Sequence, residues 1–257
     1  MARVIAIANQ KGGVAKTTTA ITVAAALVES GHRVLLIDLD PQACASFALG
    51  VDPEELKRDE SMALVLDRVD GRNLGESMRK AIRRTDDGVH LIPAAMELAS
   101  ADLALADRAG RERIVGRALE SIRDDFDFIL FDCSPSLGLM TINALIASDE
   151  VVVPVKCETL SHRGLGQLME TIDDVRRWAN RDLVVSGIVP TLFDGRTAHA
   201  QAVLADLAPR YGVPVFDAIP RSIRFAESPA VGRTILATSP ASAGARAYRK
   251  VAQALLA

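Results

Sequence analysis

The chain is 257 residues long, 49% hydrophobic with a mean hydropathy of +0.18, and carries a formal net charge of −3 with a pI of about 5.9. That length and apolar content suffice to bury a large core as one α/β domain, and the slight acidity announces no nucleic-acid partner for the chain as a whole. Three scattered cysteines, Cys44, Cys133 and Cys157, exclude a disulfide framework and a C-x-x-C metal spacing; no signal-peptide pattern or membrane-length apolar run is present, so a soluble protein of the reducing cytoplasm is expected.

The first predicted element is an apolar strand, Arg3 to Ala8. It runs into Asn9-Gln10-Lys11-Gly12-Gly13-Val14-Ala15-Lys16-Thr17-Thr18 and then an alanine-rich helix over 16–30. A glycine pair and a lysine between a strand and a helix make a phosphate cradle. Backbone N–H groups of the turn point inward, the helix presents its positive end, and Lys16 adds full charge. Thr17 offers a hydroxyl to Mg²⁺. The common pattern G-x-x-x-x-G-K-[ST] requires glycine at positions 10 and 15, where this chain has Gln10 and Ala15. It fits instead K-G-G-x-x-K-[ST], in which Lys11 stands five residues before Lys16, so that two lysines can reach phosphate.

Beyond the loop, short apolar runs alternate with helical patterns, which predicts βαβ units and a doubly wound, mostly parallel sheet with helices on both faces. The runs Arg33–Asp38, Val89–Pro93, Phe126–Asp132, Val151–Val155, Leu183–Val189 and Val213–Ile219 read as buried strands. Helices are predicted over 16–30, 60–68, 97–107, 110–123, 138–148, 162–178, 198–209 and 241–256. Residues 50–88 mix Pro53, charges and glycines without clean periodicity, and no function is assigned to them.

In an open parallel sheet, ligands bind beyond the carboxyl ends of the strands, so acidic residues there are candidates to hold a metal or orient water. Asp38 and Asp40 close one apolar run and Asp132 closes another. A carboxylate at such a position needs compensation, which Mg²⁺ supplies. Charge is uneven along the chain: residues 181–257 hold eight Arg and one Lys against four Asp and one Glu, a net of +4, leaving −7 for residues 1–180.

Taken together, Lys11 to Thr18, Asp38-Leu39-Asp40-Pro41-Gln42, Asp132 to Leu137, Thr141 to Leu145, Thr191 to Thr197, Ile219 to Pro229 and Ser242 to Tyr248 resemble the ParA family of deviant Walker ATPases, especially its small Soj-like type, over essentially the whole length. The resemblance implies that Lys16 and Thr17 bind the β/γ-phosphates and Mg²⁺ of ATP, while Lys11 reaches the partner's phosphates across a nucleotide-sandwich homodimer. Asp40 is expected to position the attacking water beside the metal, and Asp132 to hold Mg²⁺ through its water shell. Pro220 and Arg221 are expected near the adenine, and Arg196 and Arg224 at phosphates of duplex DNA. Phosphoryl transfer needs mainly positioning and positive charge, which suits this inventory. The resemblance further implies non-specific DNA binding, a ParB/Spo0J-like stimulating partner, slow hydrolysis and a nucleoid-associated place in the cytoplasm. The first helix starts within twenty residues of Met1, so a single domain spanning 1–257 without an N-terminal helix-turn-helix is expected.

Two positions depart from the family pattern. Ala15 replaces the glycine usual before the loop lysine, and a positive φ there would cost on the order of 1–2 kcal/mol. Ala43-Cys44 stands where Gly-Asn is common. Three relatives supply other readings. A MinD-like membrane ATPase would end in a basic amphipathic helix with bulky apolar residues, whereas 245–257 is rich in small ones. An iron–sulfur relative would need a second suitable cysteine ligand. A positioning ATPase for a protein cargo, such as a carboxysome or chemotaxis array, would share all these motifs.

Overall fold

Successive residues of a strand point to opposite faces of its sheet, and the apolar runs of this chain fill both. The computed structural model describes residues 1–67, 74–158 and 161–257. Seven strands form one sheet in the order β3-β4-β2-β5-β1-β6-β7, with β1 Arg3–Ile7, β2 Val34–Asp38, β3 Arg83–Arg84, β4 His90–Ile92, β5 Phe128–Asp132, β6 Glu150–Lys156 and β7 Val184–Thr191. β3 pairs antiparallel with β4, and the other pairings are parallel.

On one face, Ile5, Ile7, Val34, Leu36, Phe128 and Leu130 pack under α1 (Lys16–Glu29) and α2 (Cys44–Ala48). On the other, Val4, Ala6, Leu35, Ile37, Ile129 and Phe131 are covered by α3 (Leu64–Asp67), α4 (Leu74–Ala81), α5 (Ala101–Ala104), α6 (Ile114–Leu119), α7 (Leu139–Ala147), α8 (Ser161–Trp178) and α9 (Ala198–Tyr211). The chain then returns to the first face with α10 (Arg224–Glu227), α11 (Ile235–Thr238) and α12 (Ala243–Leu256). This is the doubly wound sheet that the apolar runs predict. From β1 the chain winds out through α1 to β2, whereas from β5 it passes through α7 to β6 beyond β1. The order reverses about β1, and such a reversal leaves a crevice at the strand carboxyl ends.

Several expected elements come out differently. Val213–Ile219 is not a regular strand. It meets β7 at a single parallel bridge, Ile188↔Val215, and a second bridge, Phe193↔Pro220, lies just past the ends of both segments. Ile188 N donates to Pro214 O at 2.8 Å and Ile219 N to Pro190 O at 2.7 Å, but Pro190 has no N–H to return, and the ladder breaks there. The expected helix 110–123 divides into a 3-10 turn Arg111–Arg113, α6 and a second 3-10 turn Arg123–Asp125. The expected helix 97–107 becomes a 3-10 turn Met96–Ser100 followed by α5. None of these pieces has a side-chain N-cap to satisfy its first N–H groups. The expected helix 60–68 is α3, residue 68 lying outside the described residues. Within 50–88 the structure also forms α4 and the edge strand β3, whose two arginines carry no apolar signature.

Candidate functional site

The loop after β1 is tied to its surroundings by side chains that need no ligand. Asn9 donates through Nδ2 to the Pro154 carbonyl at 2.7 Å and accepts from Lys11 N at 3.0 Å. The buried Thr191 hydroxyl, at the end of β7, donates to Val14 O at 3.0 Å. Gly13 takes φ 70, a left-handed value that favours glycine, and a Cβ on either Gly12 or Gly13 would meet nothing within 4 Å. The turn therefore faces open space. At its end Ala15 takes φ 64, ψ 36 as the N-cap of α1, with no side-chain cap and no acidic residue in the first turn. The leading N–H groups of α1 are left for an anion.

Lys16 lies within this cradle, buried to 7% exposure, its Nζ donating to Lys11 O at 3.1 Å. Burial lowers its pKa, and Asp132 and then Asp40 offset part of that effect. Lys11 behaves differently. Its Nζ stands 3.6 Å from Glu158 Oε2, on the loop after β6, while Glu158 Oε1 holds Lys156 at 2.5 Å. Lys156, then Lys11, holds the Glu158 carboxyl below its usual range.

Strand register brings the acids together. Asp38 closes β2 directly opposite Asp132, which closes β5, and both are fully buried. Asp38 accepts from Ser46 N at 2.9 Å, from the Ser46 hydroxyl at 2.8 Å and from Asp40 N at 3.1 Å, yet burial still pushes its pKa up to about 6. Among the described residues neither Asp132 oxygen has a hydrogen-bond partner, and burial, followed by the charge of Asp38, raises its carboxyl well above the ordinary range. The Thr17 hydroxyl and the Lys16 ammonium lie close enough to relieve only part of this. A dication fits what this corner lacks: two buried carboxylate oxygens without partners, beside a threonine hydroxyl. Asp40 is half-buried and reaches forward, its Oδ1 accepting from Gln42 N at 3.0 Å. Ala43, the N-cap of α2, is again left-handed, at φ 50.

The residues expected at the adenine and at DNA all follow β7 in the chain. Pro220 sits at the bridge to Phe193, and Arg221 N donates to Phe193 O at 3.2 Å. The Arg221 side chain lines a cavity of about 360 Å³ with Lys156, Glu158 and Leu192. Arg196 grips both oxygens of Asp194, at 2.9 and 2.8 Å, and holds that carboxyl down at about 2. Arg224 donates from Nη1 to Glu227 at 3.1 Å. Both arginines are exposed. Sequence reasoning missed four of these partners: Glu158 beside Lys11, Ser46 beneath Asp38, Thr191 behind Val14, and Tyr248, which meets Thr19. Only Ser46 stands near its partner in the chain, eight residues on; the others offered no local signal.

Comparison with known proteins places these features in context. A family profile described as AAA domain matches residues 2–185. The chain is 39% identical to the sporulation initiation inhibitor protein Soj of Bacillus subtilis, covering 98% of each, and 40% identical to the chromosome partitioning protein ParA of Caulobacter vibrioides, covering 99% of this chain and 94% of that one. Among solved structures it resembles a protein described as the cobyrinic acid a,c-diamide synthase of Mycobacterium smegmatis, with bound ADP and magnesium. That pair shares 47% identity and a TM-score of 0.86, over 100% of this chain and 94% of the other.

Proposed function

The chain belongs to the ParA/Soj-like family of P-loop ATPases, and from that premise we propose that it is a partitioning ATPase whose ATP-bound homodimer grips duplex DNA without sequence preference. ATP hydrolysis is its reaction. Mg²⁺ arriving with ATP would supply positive charge against the phosphates. The chain's own residues do the rest. The Gly12–Thr18 backbone and Lys16 would hold the phosphates, Thr17 and Asp132 would hold the metal, and Asp40, two residues beyond the end of β2, would orient water beside it. Pro220 and Arg221 border the adenine.

Lys11 carries the dimer reading. It stands ahead of a cradle that Lys16 already serves, and its ammonium rests on Glu158 rather than on its own loop. A partly exposed ion pair of this kind contributes at most about 1 kcal/mol, so a partner's phosphates can displace it. Light scattering of Asp40→Ala with ATP and Mg²⁺ should show a dimer at micromolar concentration. A monomer with ATP bound would sink the reading, and Lys11→Ala should bind ATP yet dimerise poorly.

DNA contact is assigned to Arg196 and Arg224, and stimulation of slow hydrolysis to a ParB/Spo0J-like protein, in the cytoplasm at the nucleoid. No helix among the described residues is long and apolar enough to cross a membrane. Stable membrane association is not part of the proposal, and liposome co-sedimentation tests that. The same ATPase cycle would serve a protein cargo, which pull-down with the neighbouring gene's product distinguishes. The 47% identity to the M. smegmatis protein favours a second reading, ATP-driven amidation of cobyrinic acid. ATP turnover that rises with cobyrinic acid and ammonia, and not with DNA, would select it.

A further inference from the structure

We propose that Tyr248, on α12, is a positioning residue for the phosphate loop: through the Thr19 hydroxyl it holds the Ala15 carbonyl, and with it the left-handed turn that opens α1. The proposal rests on the reading of that loop as the ATP site. Thr19 Oγ1 lies 2.8 Å from Ala15 O and 2.9 Å from Tyr248 Oη. Thr19 N also donates to Ala15 O, at 2.9 Å.

Proton bookkeeping fixes the direction of this chain. A carbonyl only accepts, so the single hydroxyl hydrogen of Thr19 goes to Ala15, and Tyr248 must donate to Thr19. Both side chains are fully buried, so water does not substitute for either. Burial raises the Tyr248 phenol above its usual range, which keeps it protonated and therefore a donor. Donation into the Thr19 oxygen polarises its O–H toward Ala15, as in other buried chains of hydrogen bonds.

Ala15 needs such a brace. A non-glycine residue at φ 64 is strained and persists only where its surroundings over-determine it. Tyr248 is itself fixed, its ring packed T-shaped against Phe225 at 5.7 Å between centroids. Losing the hydroxyl alone leaves that packing in place and frees the turn to relax, which moves the N–H groups that follow it and Lys16.

The test is ATP affinity, read with a fluorescent ATP analogue, alongside kcat, KM and thermal melting. Failure of the wild-type chain to bind would remove the reading of the site itself. Given wild-type binding, Tyr248→Phe should weaken affinity by about fivefold, the size of one net hydrogen bond. Because glycine adopts this turn without a brace, combining Ala15→Gly with Tyr248→Phe should restore affinity to within about twofold of Ala15→Gly alone. Wild-type affinity in Tyr248→Phe overturns the proposal. A loss that persists in the glycine background does so too, since it assigns Tyr248 to general packing of α12. Should Tyr248→Phe lose its cooperative melt, Thr19→Ser and Thr19→Val decide: the serine keeps the hydroxyl and the affinity, the valine loses both, and equal affinities overturn the proposal.

Discussion

Ala15 and Ala43 occupy left-handed N-caps on the two helices that flank the crevice, at φ 64 and φ 50. Each Cβ there is strained, and glycine would relieve the strain at some cost in unfolded-state entropy. Ala15→Gly and Ala43→Gly should each stabilise the nucleotide-free chain by about 1 kcal/mol, read as a higher urea midpoint at unchanged slope. A loss would mean that the methyl groups pack to advantage. The buried acids give a second residue-scale expectation. Asp38 has a folded pKa of about 6, above its unfolded value, so the folded state takes up the extra proton. Stability of the nucleotide-free chain should rise as pH falls from 7.5 to 5. Below that, Asp127 and Asp194, both held down at about 2 by arginines, lose their contribution as they protonate. Melting temperature against pH should therefore pass through a maximum on the acid side of neutrality, and Asp132→Asn should flatten its upper limb.

Among elements, α2 connects the crevice to the segment that bears Arg224. Its N-cap Ala43 donates N–H to Asp40 O at 2.8 Å, and Gly50, two residues past its last residue Ala48, donates N–H to Phe47 O at 3.0 Å. Gly50 meets Gly232 backbone to backbone: a Cβ on Gly232 would lie 2.8 Å from Gly50 Cα, and Gly232 is itself at φ 66. Just before Gly232 come α10, with Arg224, and a 3-10 turn, Ser228–Val231. Gly232→Ala combines a left-handed alanine with a clash against backbone, and should destabilise by about 3 kcal/mol, measured by urea unfolding. A neutral outcome would show that the two segments separate readily.

At the scale of the whole molecule, an acidic chain must present local positive charge to hold a polyanion. Arg196 and Arg224 are exposed but each is already paired, with Asp194 and with Glu227. Pairs this exposed are weak and screened, so phosphate can compete for the guanidinium groups. A dimer offers at least four of them, which sets a slope of log affinity against log salt of about −3.6 or steeper on duplex DNA. Arg196→Glu and Arg224→Glu should each abolish ATP-dependent DNA retention with ATP binding and dimerisation intact. Asp194→Asn should tighten it. If both reversals leave retention and slope unchanged, the DNA surface lies elsewhere.

What the sequence determined by itself is whatever neighbouring residues decide: the apolar runs that become β1, β2, β4, β5, β6 and β7, the glycine pair and Lys16 between strand and helix, and the aspartates that close β2 and β5. These are legible because strand burial and loop chemistry are written within about ten residues. The edge strand β3 escaped notice because an edge of two arginines needs no apolar pattern, and Val213–Ile219 misled because the break in its ladder comes from Pro190 of the neighbouring β7, outside its own apolar run. Tertiary structure alone decided that Asp38 and Asp132 stand in register, that Lys11 rests on Glu158, and that Tyr248 reaches Thr19 from 229 positions away. Each of these depends on strand order or helix packing across the molecule, which no local periodicity encodes.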